Sequence, residues 1–519
     1  MLLFSRSEDP MRYFYLILFV MVLGLPFALR ALQKQSEPVV EVEQATARLV
    51  VVTPHNGDIR REYGIAFDQW HRKRYGQGVT IDFRMPGGTS DMVKLLTSTF
   101  KENQTFTGLD VVWGGGDYTF YHDLQPKGIL DPIHLDPKIL RAAFPESSLA
   151  GVRLYDSTQA PDGTPTPQWV GACLSSFGII YNSEVYHGLQ MPPPQRWQDL
   201  TDPRLFRLIA LADPAHSGSA AIAYMMVLQR SMADAELAFF QRTPQLKTLP
   251  RSDLYKRPEY HDAIAMGWKR AMGDLVLIAA NTRYFIDSSE VVPNDVARGE
   301  AAAGMSIDFY ARVTEGTVGS SRAHFVSPYA ATAITPDAIG ILHGVSGTRL
   351  TLATHFVEFL ISPEGQRLWI LLPGQTGGPR ERALRRMPIR RDVYVDQTGW
   401  ADHFNPFEDA GGFNQRGEWM ALLSDTRPIW NAAWIDSRDD LLDAYQAILA
   451  LGDSTKRTSL LGRLADLPVT LKDVEQRRDD RTAIEKAGGD INDWTARDRI
   501  AWSSRFRQHY EKVAAEARQ

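Results

Sequence analysis

Cysteine is nearly absent, with a single residue, Cys173, among 519. An internal disulfide is thereby excluded, and so is a cysteine-rich metal site; such sparing use suits a protein of the cell envelope. A basic excess is missing too. Lys and Arg number 57 against 62 Asp and Glu, a formal net charge of −5, which speaks against nucleic acid as a partner. There is no Walker lysine loop, no GxSxG and no HExxH. The "GGGD" at 114–117 has the wrong spacing and the wrong following element for a dinucleotide fingerprint. No repeats or heptads occur. No nucleophile stands beside a base, so neither an enzyme nor a cofactor or metal is expected.

One long apolar run is present. "YFYLILFVMVLGLPFAL", residues 13–29, carries no charge and follows Arg12. Its length lies at the short end for a membrane span and overlaps that of a signal-peptide core. No cysteine follows it, which excludes a lipoprotein signal. "ATA" at 45–47 lies some way beyond the run, which favours an uncleaved anchor over a cleaved signal. The expected organisation is a short segment 1–12, an anchor or signal at 13–32, and a polar tether at 33–47. Everything from residue 48 onward is then exported. The flanking charges do not fix the orientation by themselves.

A chain of this length exceeds one core, so two or more domains are expected. "RLVVVTP" (48–54) reads as a buried strand. In "RREYGIAFDQWHRKRYG", Tyr63, Ala66, Phe67 and Trp70 recur at helical spacing. "VTIDFRM" alternates as a strand does, and Met92, Leu95, Leu96 and Phe100 share one helical face. Strands alternating with helices imply an α/β fold with parallel sheets covered on both faces. The pattern resumes from about 170 to 370. Residues 471–519 are highly charged and include an amphipathic helix, "IAWSSRFRQHYEKVAAEA".

In open α/β sheets, ligands bind beyond the carboxyl ends of the strands. Small or polar stretches fall there four times: "TPHNGD", "PGGTSD", "GGGD" and "DPAHSGSA". Two of them open helices. A helix start leaves N–H groups unpartnered and carries partial positive charge. Glycine lets a ligand approach the backbone closely. Gly88, Thr89 and Ser90, and likewise Ser217, Gly218 and Ser219, therefore suit a carboxylate, phosphate or carbonyl oxygen. The ordinary use of Ser or Thr at such a place is a cap. Gly116 and Asp117 close the third loop. His55 is either a ligand contact or a solvated loop residue. Asp308 and Tyr310 either face a cleft or simply end a strand. Trp113, Tyr118 and Phe120 read as core by default.

The middle of the chain resembles bacterial extracellular solute-binding proteins of ABC transporters. "VGACLSSFGIIYNSEVY", then "PPPQRWQDLTDPRLFRLIALADPAHSGSA", matches that family's Tyr-Asn strand end, Pro-Trp-Asp-Leu stretch and Pro-x-x-Ser-Gly helix start. "VARGEAAAGMSIDFYAR" resembles its Gly-Glu segment and following strand, and "FVEFLISPEGQRLW" its late helix pair. The resemblance covers roughly 48–395. It implies the type II periplasmic-binding-protein fold: two lobes joined by crossing strands, closing on a solute. It also implies a small polar or anionic solute, an ABC permease as partner, and a periplasmic place at the inner membrane. The ferric-iron-binding branch is the most similar. Such binders use a histidine or carboxylate of the first lobe and two adjacent tyrosines. His55 matches the loop position, but the tyrosine pair reads Phe309–Tyr310. One phenolate is missing, which argues against ferric iron even with Asp308 alongside. Residues 396–519 exceed the family's usual ending. They are expected to form a mainly helical extension, either a docking element or an elaboration of the first lobe. A sensory or scaffold protein signalling through that extension is the alternative function.

Overall fold

The computed structural model describes residues 19, 47–103, 105, 107–408 and 413–519. Apart from Phe19 and Ala47, the expected anchor at 13–32 and tether at 33–47 lie outside the described residues. Among the described residues, no helix is long and apolar enough to cross a membrane.

The first lobe opens with β1 (Ala47–Val52), α1 (Gly57–Tyr75), β2 (Val79–Arg84), α2 (Thr89–Glu102) and β3 (Val111–Trp113). The helical faces are those the spacing implies. Tyr63 and Phe67 are buried on α1, and Met92, Leu96 and Phe100 on α2. Ala66, Trp70 and Leu95 pack at the margin of the same core. β4 (Leu130–Asp131) and a small hairpin of β5 (Ser148–Leu149) and β6 (Val152–Arg153) lead to β7 (Val170–Ser175).

A single residue, Ser176, separates β7 from β8 (Phe177–Asn182), which belongs to a different sheet. The second lobe continues with β9 (Ile209–Ala212), α3 (Gly218–Arg242), α4 (Pro258–Asn281), β10 (Thr282–Ile286), β11 (Ala303–Ile307), α5 (Asp308–Val318) and β12 (Ala323–Val326). The chain then returns to the first sheet as β13 (Thr335–Leu342), which α6 (Gly347–Leu360) covers.

The first sheet runs β2-β1-β3-β13-β4 with β7 also on β13, and the second runs β10-β9-β11-β8-β12. Pairing is parallel where strands alternate with helices. It is antiparallel around β13 and β8. The expectation of purely parallel sheets is thus corrected. β8 and β13 are the strands that enter from the neighbouring lobe, and each runs against the βαβ strands it joins.

Beyond residue 371 the chain stays on the first lobe at first. Leu372 N–H donates to Gly399 at 2.8 Å, and Ala401 N–H donates to Ile370 at 2.8 Å. The remainder is helical: α7 (Leu423–Trp430), α8 (Arg438–Leu449), α9 (Ser454–Ala465), α10 (Leu471–Lys486) and α11 (Ile491–Arg518). These helices elaborate the second lobe, not the first. Trp430, Trp434, Tyr445, Leu464, Phe506 and Tyr510 share one buried core with Met225, Trp268 and Met272 of α3 and α4. The amphipathic pattern marks a buried face but does not name what covers it.

Candidate functional site

The site is built around the crossing between the lobes. Asp308, at the start of α5, is buried. Its Oδ2 accepts the Ser176 N–H at 2.9 Å and the Ser176 hydroxyl at 3.2 Å, and its Oδ1 accepts the Phe309 N–H at 2.8 Å. In return Asp308 N–H donates to the Ser176 carbonyl at 2.9 Å. Burial raises the carboxyl to about 6, opposed by Arg312 and these amides. Asp308 therefore begins a helix rather than ending a strand, and its oxygens are engaged by the crossing backbone.

Below the crossing lies a buried cation. Arg386 has 1% of its surface exposed and sits over the Phe309 ring, 4.2 Å from its centroid. Its Nη2 donates to Ser175 Oγ at 2.7 Å, and its Nη1 lies 2.7 Å from Asp337 Oδ2. Nη1 thus faces Asp337 as a close ion pair, and Nε has no hydrogen-bond partner. Burial alone would raise the Asp337 carboxyl, but Arg386, His55 and the Gly116 N–H at 2.9 Å hold it below its ordinary value.

His55 is not a solvated loop residue. It is buried, edge-on to Trp113 at 4.4 Å, with Nε2 3.7 Å from Asp337 Oδ2 and no hydrogen-bond partner for Nε2. Burial lowers it to about 3, only partly offset by Asp337. It is neutral at ordinary pH and packs in the core of the first lobe against Trp113 and Trp369.

The two helix starts face each other across the lobes. A Cβ added to Gly88 would meet the His216 carbonyl oxygen at 2.9 Å, and one added to Gly218 would meet Thr89 Cβ at 3.1 Å. Larger residues at either position would hold the lobes apart. The starts differ in their capping. At α3 Ser217 is an ordinary cap, its Oγ accepting the Ala220 N–H at 3.2 Å. Ser219 Oγ lies 3.2 Å from Ser217 Oγ and 2.8 Å from Ser289 Oγ. At α2 the cap residue is Gly88, no side chain caps the helix, and the buried Ser90 Oγ has no hydrogen-bond partner. Thr89 and Ser90 are therefore not spent as caps.

Gly114, Gly115 and Gly116 all have positive φ, of 96°, 103° and 80°. This turn brings the Gly116 N–H to Asp337 and buries Asp117 beside it. Burial raises the Asp117 carboxyl to about 7, against the pull of the Tyr118 amide and Arg153. Tyr310 is half-buried, its ring tilted at 41° to that of Phe309 with the centroids 4.1 Å apart. Burial first, and then Glu290, raises its phenol, while Arg386 opposes. Glu290 is raised by burial and by Asp58 of the first lobe, so acidic groups of the two lobes approach one another here.

Of the residues singled out from the sequence, Gly88 and Thr89 meet the start of α3 directly at His216 and Gly218. Gly116 and His55 converge on Asp337, and Asp308 and Tyr310 flank the crossing through Ser176 and Phe309. Arg386, Asp337 and Ser176 carry no local pattern and were not legible.

The comparisons with known proteins bear on this geometry. Residues 150–371 match the bacterial extracellular solute-binding protein family. The phosphoglycerate transport regulatory protein PgtC of Salmonella typhimurium is 23% identical over 208 residues, 40% of this chain and 42% of PgtC. The chain thus spans less than half the length of the curated relatives it matches. Among solved structures, the periplasmic binding protein AfuA from Actinobacillus pleuropneumoniae, with exogenous fructose-6-phosphate bound, aligns with a TM-score of 0.51 at 18% identity, over 75% of this chain and 98% of AfuA. Iron-bound HitA from Pseudomonas aeruginosa aligns with a TM-score of 0.45 at 16% identity, over 73% of this chain and 99% of HitA.

Proposed function

We propose that this chain, which shares the fold and the central sequence of bacterial extracellular solute-binding proteins, captures a small anionic solute between its lobes and delivers it to the permease of an ABC importer. The observation that carries this reading is the pair of helix starts meeting across the lobes, one of them without a side-chain cap and with Ser90 Oγ unpartnered. Both starts offer backbone N–H groups and partial positive charge to the same small space. In this arrangement Gly88 and Gly218 leave no solute-sized gap between them, so capture requires the lobes to part about the Ser176 crossing and close again.

On this reading residues 48–395 form the binding unit and 396–519 the extension. Residues 13–32 anchor the protein at the outer face of the inner membrane. Gly88, Thr89, Ser90, Ser217, Gly218 and Ser219 bind anionic oxygens. Gly116, Asp117, Tyr310, His55 and Asp308 line or support the cleft. PgtC, whose name refers to phosphoglycerate, and AfuA with fructose-6-phosphate suggest the probes.

The full-length protein is titrated with inorganic phosphate, 3-phosphoglycerate and fructose 6-phosphate while its melting temperature is followed, and native mass spectrometry looks for a retained molecule. At least one anion raises the melting temperature. Ser90→Ala and Ser219→Ala each weaken that anion about ten- to a hundredfold, the value of a hydrogen bond to a charged group. If none of the three anions raises the melting temperature, the reading falls. A second reading, a regulatory protein that reports solute occupancy through its extension, is favoured by the direct bond from Ser424 of the extension to Tyr118 of the first lobe, at 2.8 Å. Recovery of a sensor protein rather than a permease with the full chain would favour it.

A further inference from the structure

Helix α7 of the extension stands at the junction of the two lobes. Its Ser424 Oγ is 2.8 Å from the Tyr118 hydroxyl of the first lobe. Just past its end, Asn431 Nδ2 donates to Asp213 Oδ1 of the second lobe at 3.1 Å. Asp213 in turn shapes the start of α3. Its Oδ1 accepts the Ala215 N–H at 2.7 Å, and its carbonyl accepts the Ser217 N–H at 2.8 Å. The helix is held from behind. Asp425, fully buried, accepts Arg477 at 2.9 Å and Arg481 at 2.9 and 3.1 Å, both from α10.

Arg427 lies three residues after Ser424 and four before Asn431, so it projects from the same side of α7. The charged and polar groups acting on it come from both lobes: Asp123 and Tyr118 from the first, Asp213 from the second. Yet it makes no ion pair within 4.0 Å among the described residues, and its Nε is shielded from solvent without a hydrogen-bond partner. Burial is the largest influence on this guanidinium and disfavours its charge. The side chain is only partly exposed, and a guanidinium in such a place without a bonded counter-ion is free to take up negative oxygens.

We propose that Arg427 is a solute-binding residue supplied by the C-terminal extension: it donates to an anionic oxygen of the solute held between the lobes, and α7 forms a third wall of the cleft. This rests on the reading of the cleft as an anion site. The forked guanidinium suits a carboxylate or a phosphoryl group, since either presents paired oxygens. Specificity is then shared by three parts of the chain: the start of α2, the start of α3 and the face of α7. A chain that ended near residue 395 would keep the two helix starts and lose the cation.

The test compares the full-length protein with Arg427→Met and Arg427→Lys by melting temperature. Each is measured alone and in titrations with inorganic phosphate, 3-phosphoglycerate and fructose 6-phosphate. Without ligand, Arg427→Met melts at or above the parent temperature, because it removes an unbonded charge, and this also reports that the variant folds. With the anion that stabilises the parent, Arg427→Met needs about ten- to a hundredfold more for the same shift, and Arg427→Lys falls between. Equal protection of parent and Arg427→Met would overturn this inference and leave the anion site standing. If none of the three anions protects the parent, the anion reading falls and this inference falls with it. A marked drop in the melting temperature of Arg427→Met alone, with unchanged anion affinity, would make Arg427 a structural tie.

Discussion

Asp308 accepts the Ser176 N–H at 2.9 Å while donating its own N–H to the Ser176 carbonyl at the same distance. The two residues are bonded reciprocally at the one position where the chain passes directly from the first sheet to the second. Asp308→Ala leaves the Ser176 and Phe309 amides without their side-chain acceptor. Each buried group so stranded costs about 1–3 kcal/mol, so a loss of roughly 2–6 kcal/mol is expected in urea unfolding. Asp308→Asn, which keeps one acceptor oxygen, loses less. A loss under about 0.5 kcal/mol for the alanine variant, the level of a neutral surface change, would show the bond to be dispensable.

Stability carries a pH signature from Asp117. Its carboxyl is raised to about 7 by burial, from an ordinary value of 3.8. An acid whose folded value is raised binds its proton more tightly when folded. Its stabilising contribution is present below 3.8 and is lost as pH rises through about 7. Asp308, raised to about 6, acts with the same sign over a narrower window. His55, lowered to about 3, acts oppositely, its contribution being present above 6.5 and lost on acidification. Asp117→Asn should therefore gain stability relative to the parent between pH 4.5 and 8, with the difference growing as pH rises. Unfolding curves of both proteins across that range decide it, and parallel profiles would contradict the assignment.

Arg386 and Asp337 form a buried pair whose partners are costly to separate. Arg386→Met strands the Asp337 carboxylate, and Asp337→Asn strands the guanidinium. Breaking one side of such a pair is expected to cost about 3–5 kcal/mol. Replacing both, Arg386→Met with Asp337→Asn, should cost clearly less than the sum. Denaturant unfolding of the two single variants and the double variant supplies the cycle; strict additivity would mean that the two side chains do not depend on each other.

Ser217 is the cap of its helix, whereas Ser90 lies two residues inside its own, after the cap Gly88, and the two do different things. Ser217→Ala removes a cap and should lower stability by about 1 kcal/mol. Ser90→Ala removes a hydroxyl that has no hydrogen-bond partner and should leave the melting temperature of the ligand-free protein nearly unchanged. Equal losses for the two would mean that Ser90 has a structural bond.

Much of the architecture is legible in local chemistry. Glycines and serines at strand ends mark helix starts, and spaced apolar residues mark the faces of α1 and α2. Trp113, Tyr118 and Phe120 are buried, as the default reading has it. What is not legible depends on contacts between distant segments. Asp337 and Arg386 acquire meaning only when β13 passes over the loop that carries Arg386. Arg427 reads as one arginine in a helical stretch until α7 is seen at the lobe junction. His55 shows the same limit in reverse: a polar loop, "TPHNGD", suggests solvent, yet Trp113 arrives from another strand and buries it.

The cover over α3 and α4 has a consequence for how the protein is made. Tyr224 lies edge-on to Trp430 at 5.4 Å, Met272 accepts a bond from Trp430 Nε1 at 3.4 Å, and a Cβ on Gly273 would meet the Ala465 carbonyl at 2.9 Å. All three covered residues leave the ribosome long before their covers do. In that interval the second lobe has its strands and its two long helices but presents an apolar flank, the kind of surface through which nascent chains associate. Translation must pass through α9 before that flank is closed. A frameshift or stop downstream of the binding lobes would therefore release a chain that has every strand of both sheets and still aggregates.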